Sequence, residues 1–125
     1  MNATNERTLL GFPYVIMSED ILASLTEVQR QAASHIDGPL LMIAGPGSGK
    51  TRVVTHRIAY MISQDVNPSN ILALTFTNKA AQEMRLRIER LVSAPGYWMG
   101  TFHGFCARLL RQHGNLVGLA ENFTI

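Results

Sequence analysis

The protein has 125 residues, of which 46% are hydrophobic and 16% charged, as expected for one globular domain and not for a disordered chain. No apolar run approaches the roughly 18–20 residues of a membrane-spanning helix, and a secretory signal is not visible. The single cysteine, Cys106, excludes an internal disulfide, so we expect a cytoplasmic protein without membrane contact. The formal charge is +2, but residues 50–111 carry nine basic and three acidic side chains. This excess favours a polyanionic partner, although solvated helix faces are the simpler interpretation.

The first 20 residues show neither a helical nor a strand period. We therefore interpret residues 1–24 as an N-terminal extension that is partly disordered, within which Met17 is a candidate natural start. The first regular element is predicted over residues 27–34. It follows Thr26, and Gln29 stands three residues after Thr26, which is the spacing of a helix capping box.

Strands and helices alternate through the rest of the chain. Short apolar runs predict buried strands at residues 39–44, 71–76 and 97–101, and a further strand begins at 123–125. Apolar residues at helical spacing predict helices at 51–63, 78–92 and 102–113. In the last of these helices we expect core positions at Phe105, Cys106, Leu109 and Leu110. The alternation predicts an α/β fold with a parallel sheet.

Residues 44–51 read AGPGSGKT and lie between a predicted strand and a predicted helix. They match the phosphate-loop (Walker A) pattern G-x-x-x-x-G-K-[ST], except that Ala44 replaces the first glycine. In such a loop, backbone N–H groups and the helix N-terminus surround the phosphates of a nucleoside triphosphate. Lys50 is expected to reach the β- and γ-phosphates, and the Thr51 hydroxyl to ligate Mg²⁺. The phosphate-binding residues are therefore predicted to be Gly45, Pro46, Gly47, Ser48, Gly49, Lys50 and Thr51, with Lys50 and Thr51 in the catalytic role.

The phosphate loop alone does not define a reaction, but three further segments accompany it in order. They read LTEVQRQA at 25–32, TFTNKAAQEM at 75–84 and GTFHGFCARLL at 100–110. Together with the loop they resemble the N-terminal motor segment of superfamily 1 DNA helicases of the UvrD/Rep/PcrA type. The resemblance covers residues 25–125 and implies an incomplete P-loop NTPase (RecA-like) motor domain. It also implies an intact protein that is an ATP-dependent, 3′ to 5′ helicase on single-stranded DNA, with a role in DNA repair.

The resemblance assigns roles to residues near the loop. The first segment resembles the Q motif of these helicases, in which Gln29 would hydrogen-bond the adenine of ATP. The alternative is that Gln29 only completes the capping box. Arg52 is similar to a family arginine that lies beside the adenine or the phosphates, and its alternative is a surface helix arginine.

The other two segments resemble motifs Ia and Ib, which contact single-stranded DNA. The resemblance implies that the DNA-binding residues are Thr75, Phe76, Thr77, Asn78, Lys79, Thr101, Phe102 and His103. Phe76 would stack on a base or else pack in the core. Lys79 would pair with a phosphate or with Glu83, four residues further on. His103 has no nucleophile or metal ligand beside it, so a catalytic histidine is disfavoured.

A complete motor also needs an acidic strand-end pair and arginines from a second motor domain. The sequence after the third predicted strand contains one acidic residue, Glu121. We therefore expect a fragment that needs the rest of the helicase chain, hydrolyses ATP near the uncatalysed rate, and binds Mg·ATP and single-stranded DNA weakly. Two alternatives stay open: the helicase half of a RecB/AddA-type helicase–nuclease, and a stand-alone nucleotide- or DNA-binding module without motor activity.

Overall fold

A computed structural model describes residues 5–9, 12–16, 20–120 and 122–124. In chain order its elements are β1 (Asn5–Leu9), β2 (Phe12–Ile16), α1 (Glu27–Ser34), α2 (Lys50–Ser63), β3 (Leu72–Thr75), α3 (Asn78–Glu89), β4 (Val92–Ser93), β5 (Trp98–Thr101) and α4 (Phe102–His113). Short 3-10 turns lie at Pro68–Asn70 and Gly114–Val117. Within the described ranges, no helix has the length and apolar character needed to cross a bilayer.

The strands form two small sheets. β3 and β5 pair in parallel, with Leu72 opposite Trp98 and Thr75 opposite Thr101, and α3 lies in the connection between them. This confirms the predicted mixed α/β architecture with a parallel pair. β1, β2 and β4 form a separate antiparallel sheet, which no period in the sequence had indicated. The proposed start at Met17 lies outside the described residues, and residues 122–124 form no strand.

Most of the helices and paired strands begin and end close to their predicted bounds. The bounds of α1 and α4 agree with the predicted ranges, and α2, β3 and β5 agree to within one residue at each end. α3 ends three residues early, at Glu89, because the chain turns there into the short strand β4. The capping box of α1 is present: the Thr26 hydroxyl accepts from the Gln29 amide at 3.3 Å, and the Thr26 amide donates to Gln29 Oε1 at 3.1 Å.

Two apolar cores fix the position of α2. The larger core lies between α2, α3 and the parallel strands, and its buried members are Ile21, Ile58, Ala59, Ile62, Ile71, Ala73, Ala81, Met84, Ile88, Val92 and Met99. The smaller core consists of Leu25, Ala33 and Val53, and packs α1 against the first turns of α2. Because α2 is held by both cores, the loop that precedes it is attached to a fixed helix end.

The predicted buried strand at residues 39–44 is wrong. This segment has no regular secondary structure; Leu41 is 83% exposed and Ile43 is 88% exposed, while Met42 packs against the smaller core. A strand needs neighbours that satisfy its backbone N–H and C=O groups. β3 and β5 pair with each other, and no strand of the described residues lies alongside 39–44. Without a pairing partner, this apolar run therefore forms no strand and leaves Leu41 and Ile43 exposed.

The predicted core face of α4 is also wrong. None of the residues of α4, all of which the structure describes, is buried. Leu109 and Leu110 are 40% and 36% exposed, and Cys106 is exposed. Of the four predicted core residues, Phe105 alone is partly covered, by the Trp98 ring at 5.4 Å between centroids. The helical period identified an apolar face correctly, but a period does not say whether another element covers that face.

Candidate functional site

The phosphate loop runs directly into α2. Gly47 and Gly49 have φ values of 73° and 83°, in the left-handed region that glycine adopts without strain. Gly49 is also the N-cap of α2. Among the described residues, the only non-glycine with positive φ is Asp65, so Ala44 occupies its position without backbone strain. The loop thus keeps glycine at the two positions where its backbone requires it.

Lys50 lies over the loop that it follows. Its Nζ donates a hydrogen bond to the Ala44 carbonyl at 2.9 Å, which closes the loop from end to end. Inside the loop, the Ser48 amide donates to the Gly45 carbonyl at 3.3 Å, and the Ser48 hydroxyl donates to the same carbonyl. A cavity of about 310 Å³ lies beside the loop, lined by residues 47–52 and by Arg87. The cavity is therefore surrounded by backbone donors, one ammonium and two guanidinium groups, a set suited to a polyphosphate.

Gln29 connects α1 to the phosphate loop. Its Oε1 accepts from the Thr26 amide in the capping box, and its Nε2 donates to the Ser48 carbonyl at 3.1 Å. The contact is close, because a Cβ built on Gly49 would lie 2.6 Å from Gln29 Nε2. The side chain therefore completes the cap, as the capping interpretation predicts, and also holds the phosphate loop through Ser48.

Arg52 follows the loop on the first turn of α2. Its Nη2 donates to the Ser24 carbonyl at 3.3 Å, and its side chain lines the phosphate-loop cavity. Arg52 is therefore more than a solvated surface residue, since it joins the segment before α1 to the helix that begins at the loop. The Thr51 hydroxyl is exposed beside the same cavity, where it can supply one oxygen ligand to Mg²⁺.

The two segments that resemble DNA-binding motifs lie side by side. They follow the carboxyl ends of the paired strands β3 and β5, where Thr75 is opposite Thr101. Their aromatic residues are in contact, with the ring centroids of Phe76 and Phe102 5.5 Å apart and the rings tilted by 42°. Phe76 is 87% exposed, which excludes the core-packing alternative. The arrangement presents an aromatic pair at the sheet edge where open α/β sheets hold ligands.

The three threonines at this edge differ in what their hydroxyls can still do. Thr77 and Thr101 cap α3 and α4, and their hydroxyls accept from the Ala80 and Gly104 amides at 3.1 and 3.0 Å. Each therefore retains its O–H for donation to another group. The Thr75 hydroxyl instead donates to the Thr77 carbonyl at 3.0 Å. Thr77 and Thr101 are consequently available to donate to a phosphate, whereas Thr75 stabilises the turn.

The remaining polar residues of this edge are exposed: Asn78, Lys79 and His103. Of the two partners considered for Lys79, Glu83 is occupied, because it forms an ion pair with Arg87 on the same helix. Within the part of the chain that the structure describes, Lys79 forms no ion pair. Its ammonium therefore adds positive charge at the first turn of α3.

Comparison with known proteins agrees with this geometry. The family model described as the UvrD/REP helicase N-terminal domain matches residues 25–125. The chain belongs to this family. The ATP-dependent DNA helicase PcrA of Staphylococcus epidermidis is 52% identical over 108 residues, and that of Staphylococcus aureus is 51% identical over 108 residues. Each match covers 84% of this chain and 15% of the relative, so the chain spans about 15% of the length of these curated relatives.

In this UvrD/REP helicase domain, Arg87 is a site residue that sequence reasoning missed. It is on the last turn of α3, yet it lines the phosphate-loop cavity. The only local signal was its spacing of four residues from Glu83. Its position at the loop depends on how α3 packs against α2, and no linear pattern encodes that packing.

His56 is a buried titratable group of the helicase domain, one turn after Arg52. It is 8% exposed, and its Nδ1 donates to the Arg52 carbonyl at 2.7 Å. Burial lowers the pKa of His56 below its usual value, and the hydrogen bond to the backbone of Arg52 opposes this shift only in part. The neutral imidazole is therefore the form that the folded domain favours.

Acidification is expected to destabilise the UvrD/REP helicase domain through His56. The folded pKa lies below the unfolded value of about 6.5, so the unfolded chain binds more protons between the two values. The free energy of unfolding should therefore fall as the pH drops from 7.5 to 5.5, as measured by urea denaturation. In His56→Asn, whose amide nitrogen takes the place of Nδ1 and can keep the bond to the Arg52 carbonyl, this fall should be smaller. An equal fall in both proteins would contradict the assignment.

Proposed function

We propose that the intact protein is an ATP-dependent DNA helicase that moves 3′ to 5′ on single-stranded DNA. The curated relatives are named as ATP-dependent DNA helicases, and they support this assignment for a chain that covers a small part of their length. The observation that carries it is that two sites occur together. One is the phosphate loop before α2, and the other is the edge where polar and aromatic side chains follow the paired strands β3 and β5. The P-loop (RecA-like) motor fold is part of the same proposal.

In this proposal the nucleotide lies along the phosphate loop. Lys50 turns from the Ala44 carbonyl toward the β- and γ-phosphates, because an anionic oxygen is a stronger acceptor than a neutral carbonyl. The Thr51 hydroxyl supplies one ligand to Mg²⁺, which neutralises phosphate charge when bound. Gln29 and Arg52 both lie close to Gly49; Gln29 contacts the adenine, and Arg52 lies beside the adenine or the phosphates. The exposed loop residues thus offer N–H donors to the phosphates and one hydroxyl oxygen to Mg²⁺.

Single-stranded DNA crosses the edge after β3 and β5. The free O–H groups of Thr77 and Thr101 donate to phosphates, Lys79 adds positive charge, and Phe76 offers a ring face to a base. Because Phe76 contacts Phe102, the ring is supported from the neighbouring segment. Asn78 and His103 complete the polar surface at the two helix starts, where backbone N–H groups also point outward.

We call the edge after β3 and β5 the proposed DNA edge. It is tested by a substitution that keeps the N-cap of α3 and removes the hydroxyl proton that would be donated to a DNA phosphate. Aspartate is as good an N-cap as serine, so Thr77→Asp should fold like the parent. Its carboxylate has no proton to donate and repels phosphate, so we expect the affinity for a dT oligonucleotide to fall roughly tenfold, the loss expected for one hydrogen bond to a charged group. Fluorescence anisotropy at several salt concentrations measures this, and binding should weaken with salt as counterions are released.

The matched control for this substitution is Thr77→Ser, which keeps both the cap and the donor. Its affinity for the oligonucleotide should stay within about twofold of the parent. Far-UV circular dichroism should show the same helix content in all three proteins. Full affinity in Thr77→Asp, or binding that ignores salt, would contradict the proposed DNA edge.

The domain assignment completes the proposal. Residues 25–125 form the N-terminal part of the ATP-binding motor domain, and residues 1–24 precede it as an extension. Catalysis then requires the remaining motor domains as partners, so this chain alone should hydrolyse ATP near the uncatalysed rate. A cytoplasmic location fits a DNA substrate and a chain with one cysteine. The two relatives reported above are named as the ATP-dependent DNA helicase PcrA, so neither a helicase–nuclease nor a module without motor activity is favoured.

A further inference from the structure

A cavity lies between the last turns of α3 and the loop that leads into β5. Its volume is about 320 Å³, and it is lined by Arg85 and Glu89 of α3 and by residues 93–97. None of these residues lines the phosphate-loop cavity. The loop precedes the amino end of β5, whereas the proposed DNA edge follows the carboxyl ends of the strands. The cavity is therefore separate from both sites described above, and we call it the α3 cavity.

Arg85 and Glu89 bring opposite charges to the α3 cavity without pairing with each other. Glu83 and Arg87 of the same helix have the same spacing and do form an ion pair, with the acid before the base, which is the favourable order on a helix. Arg85 and Glu89 have the reverse order, and within the described residues neither of them belongs to an ion pair. The two charges therefore remain available to a ligand.

Other contacts hold Arg85 in place. Its Nη2 donates to the Met99 carbonyl at 3.1 Å, and its guanidinium carbon lies 5.8 Å from the centre of the Tyr97 ring, which is a cation–π distance. Among the described contacts the bond to Met99 is the only hydrogen bond of this guanidinium group, so its other N–H donors stay free. Arg85 is thus a positioned cation with unused donors.

The rest of the polar lining consists of one carboxylate and two hydroxyls. Among the described contacts, the Glu89 carboxylate and the Ser93 and Tyr97 hydroxyls have no hydrogen-bond partner. Burial raises the pKa of Tyr97, Arg85 opposes this rise, and Glu89 adds to it, so the phenol keeps its proton at neutral pH. The lining therefore carries one cation and one anion, and its charge balance does not suit a polyphosphate.

We propose that the α3 cavity binds a zwitterionic small molecule of the α-amino acid class. The carboxylate of the ligand binds the free donors of Arg85, because a guanidinium group matches a carboxylate through parallel N–H groups. The ammonium of the ligand binds Glu89, and its side chain lies against Ala94 and Pro95. The cavity volume is at the lower end of the range for small-molecule pockets, which favours a ligand of this size over a larger one.

The proposal is tested by NMR on the 125-residue chain, with L-leucine as the probe. The backbone amide signals of Ser93 and Gly96 are followed during the titration. We expect saturable shifts of both signals, with a dissociation constant in the millimolar range, because Arg85 and Glu89 remain partly hydrated. Two ligands with the same carbon skeleton are the controls: isocaproate lacks the ammonium, and isoamylamine lacks the carboxylate. Each should bind at least roughly threefold more weakly than L-leucine.

A substitution of Glu89 separates the two halves of the ligand. Glu89→Gln should weaken L-leucine binding roughly three- to fivefold and leave isocaproate binding within about twofold, since isocaproate has no ammonium. The matched control is Glu27→Gln, which removes the same charge from α1 and should leave the affinity for L-leucine within about twofold. Glu89→Asp keeps the charge on a shorter side chain, so intermediate affinity is expected. An unchanged spectrum elsewhere shows that the variants fold.

Several results would overturn the proposal. Shifts that do not saturate would do so, as would isocaproate or isoamylamine that binds as tightly as L-leucine. Equal affinity for L-leucine in Glu89→Gln and Glu27→Gln would show that Glu89 does not hold the ammonium. Equal weakening of L-leucine and isocaproate by Glu89→Gln would show the same. These titrations contain neither ATP nor DNA, so failure of the α3 cavity and failure of the proposed helicase sites give different results.

Discussion

Replacing Lys50 with alanine is expected to weaken Mg·ATP binding by at least about a hundredfold. The ammonium lies over the loop, 2.9 Å from the Ala44 carbonyl, and has only to exchange this neutral acceptor for phosphate oxygens. Charge-assisted hydrogen bonds to two phosphates together contribute about 3 kcal/mol or more, which corresponds to a hundredfold loss of affinity. Isothermal titration calorimetry with the 125-residue chain measures the affinity directly and does not require turnover.

The control for Lys50→Ala is Lys79→Ala, which removes the same side chain from the DNA edge. Lys79 is exposed on the first turn of α3 and does not line the phosphate-loop cavity. Its loss should change ATP affinity by less than about threefold, as expected for one exposed charge. Tight ATP binding by Lys50→Ala would contradict the assignment of the loop, and so would equal losses in the two variants.

The second large effect concerns stability. Ile88→Ala is expected to lower the free energy of unfolding by about 2–5 kcal/mol. Ile88 has no solvent exposure, and it packs in the larger core with Met84 and Val92. Its truncation removes apolar contacts and leaves a cavity between α3 and its neighbours. Since small domains are stable by only about 5–15 kcal/mol, this one change removes a large fraction of the total. Urea denaturation at pH 7.5 measures it.

A neighbour on the same helix controls for helix propensity. Leu86 is 52% exposed, so Leu86→Ala should change the free energy of unfolding by no more than about 0.5 kcal/mol. Similar losses in Leu86→Ala and Ile88→Ala would mean that α3 does not present Ile88 to the core. Such a result would also question the position of Arg87, which lies between them on the same helix.

Elements with local signals were predicted well. α1 begins after Thr26, whose cap with Gln29 involves residues three apart, and α4 is bounded by the Thr101 cap and by Gly114. Such signals act within one turn of the chain, so the sequence contains them completely. The phosphate loop belongs to the same class, because its glycines and Lys50 lie within six residues of one another and their geometry is local.

Features that depend on distant partners were not predictable. The apolar run at 39–44 is a strand only if another strand bonds to it, and Leu109 and Leu110 are core residues only if another element covers α4. The place of Arg87 beside the loop likewise follows from packing between two helices. Hydrophobic periodicity defines which face of an element is apolar, whereas pairing and coverage are decided by the rest of the molecule.

The distance between the two helix starts at the DNA edge is set by backbone hydrogen bonds. β3 and β5 are neighbours in register, and adjacent strands lie about 4.8 Å apart whatever their side chains. The return connection passes through the exposed residue Pro95, which precedes the amino end of β5 and so lies away from the carboxyl ends of the two strands. Insertions at Pro95 therefore lengthen the connection without changing the spacing of Thr77 and Thr101. A fluorescent reporter placed at Pro95 should therefore leave the spacing of the two helix starts unchanged.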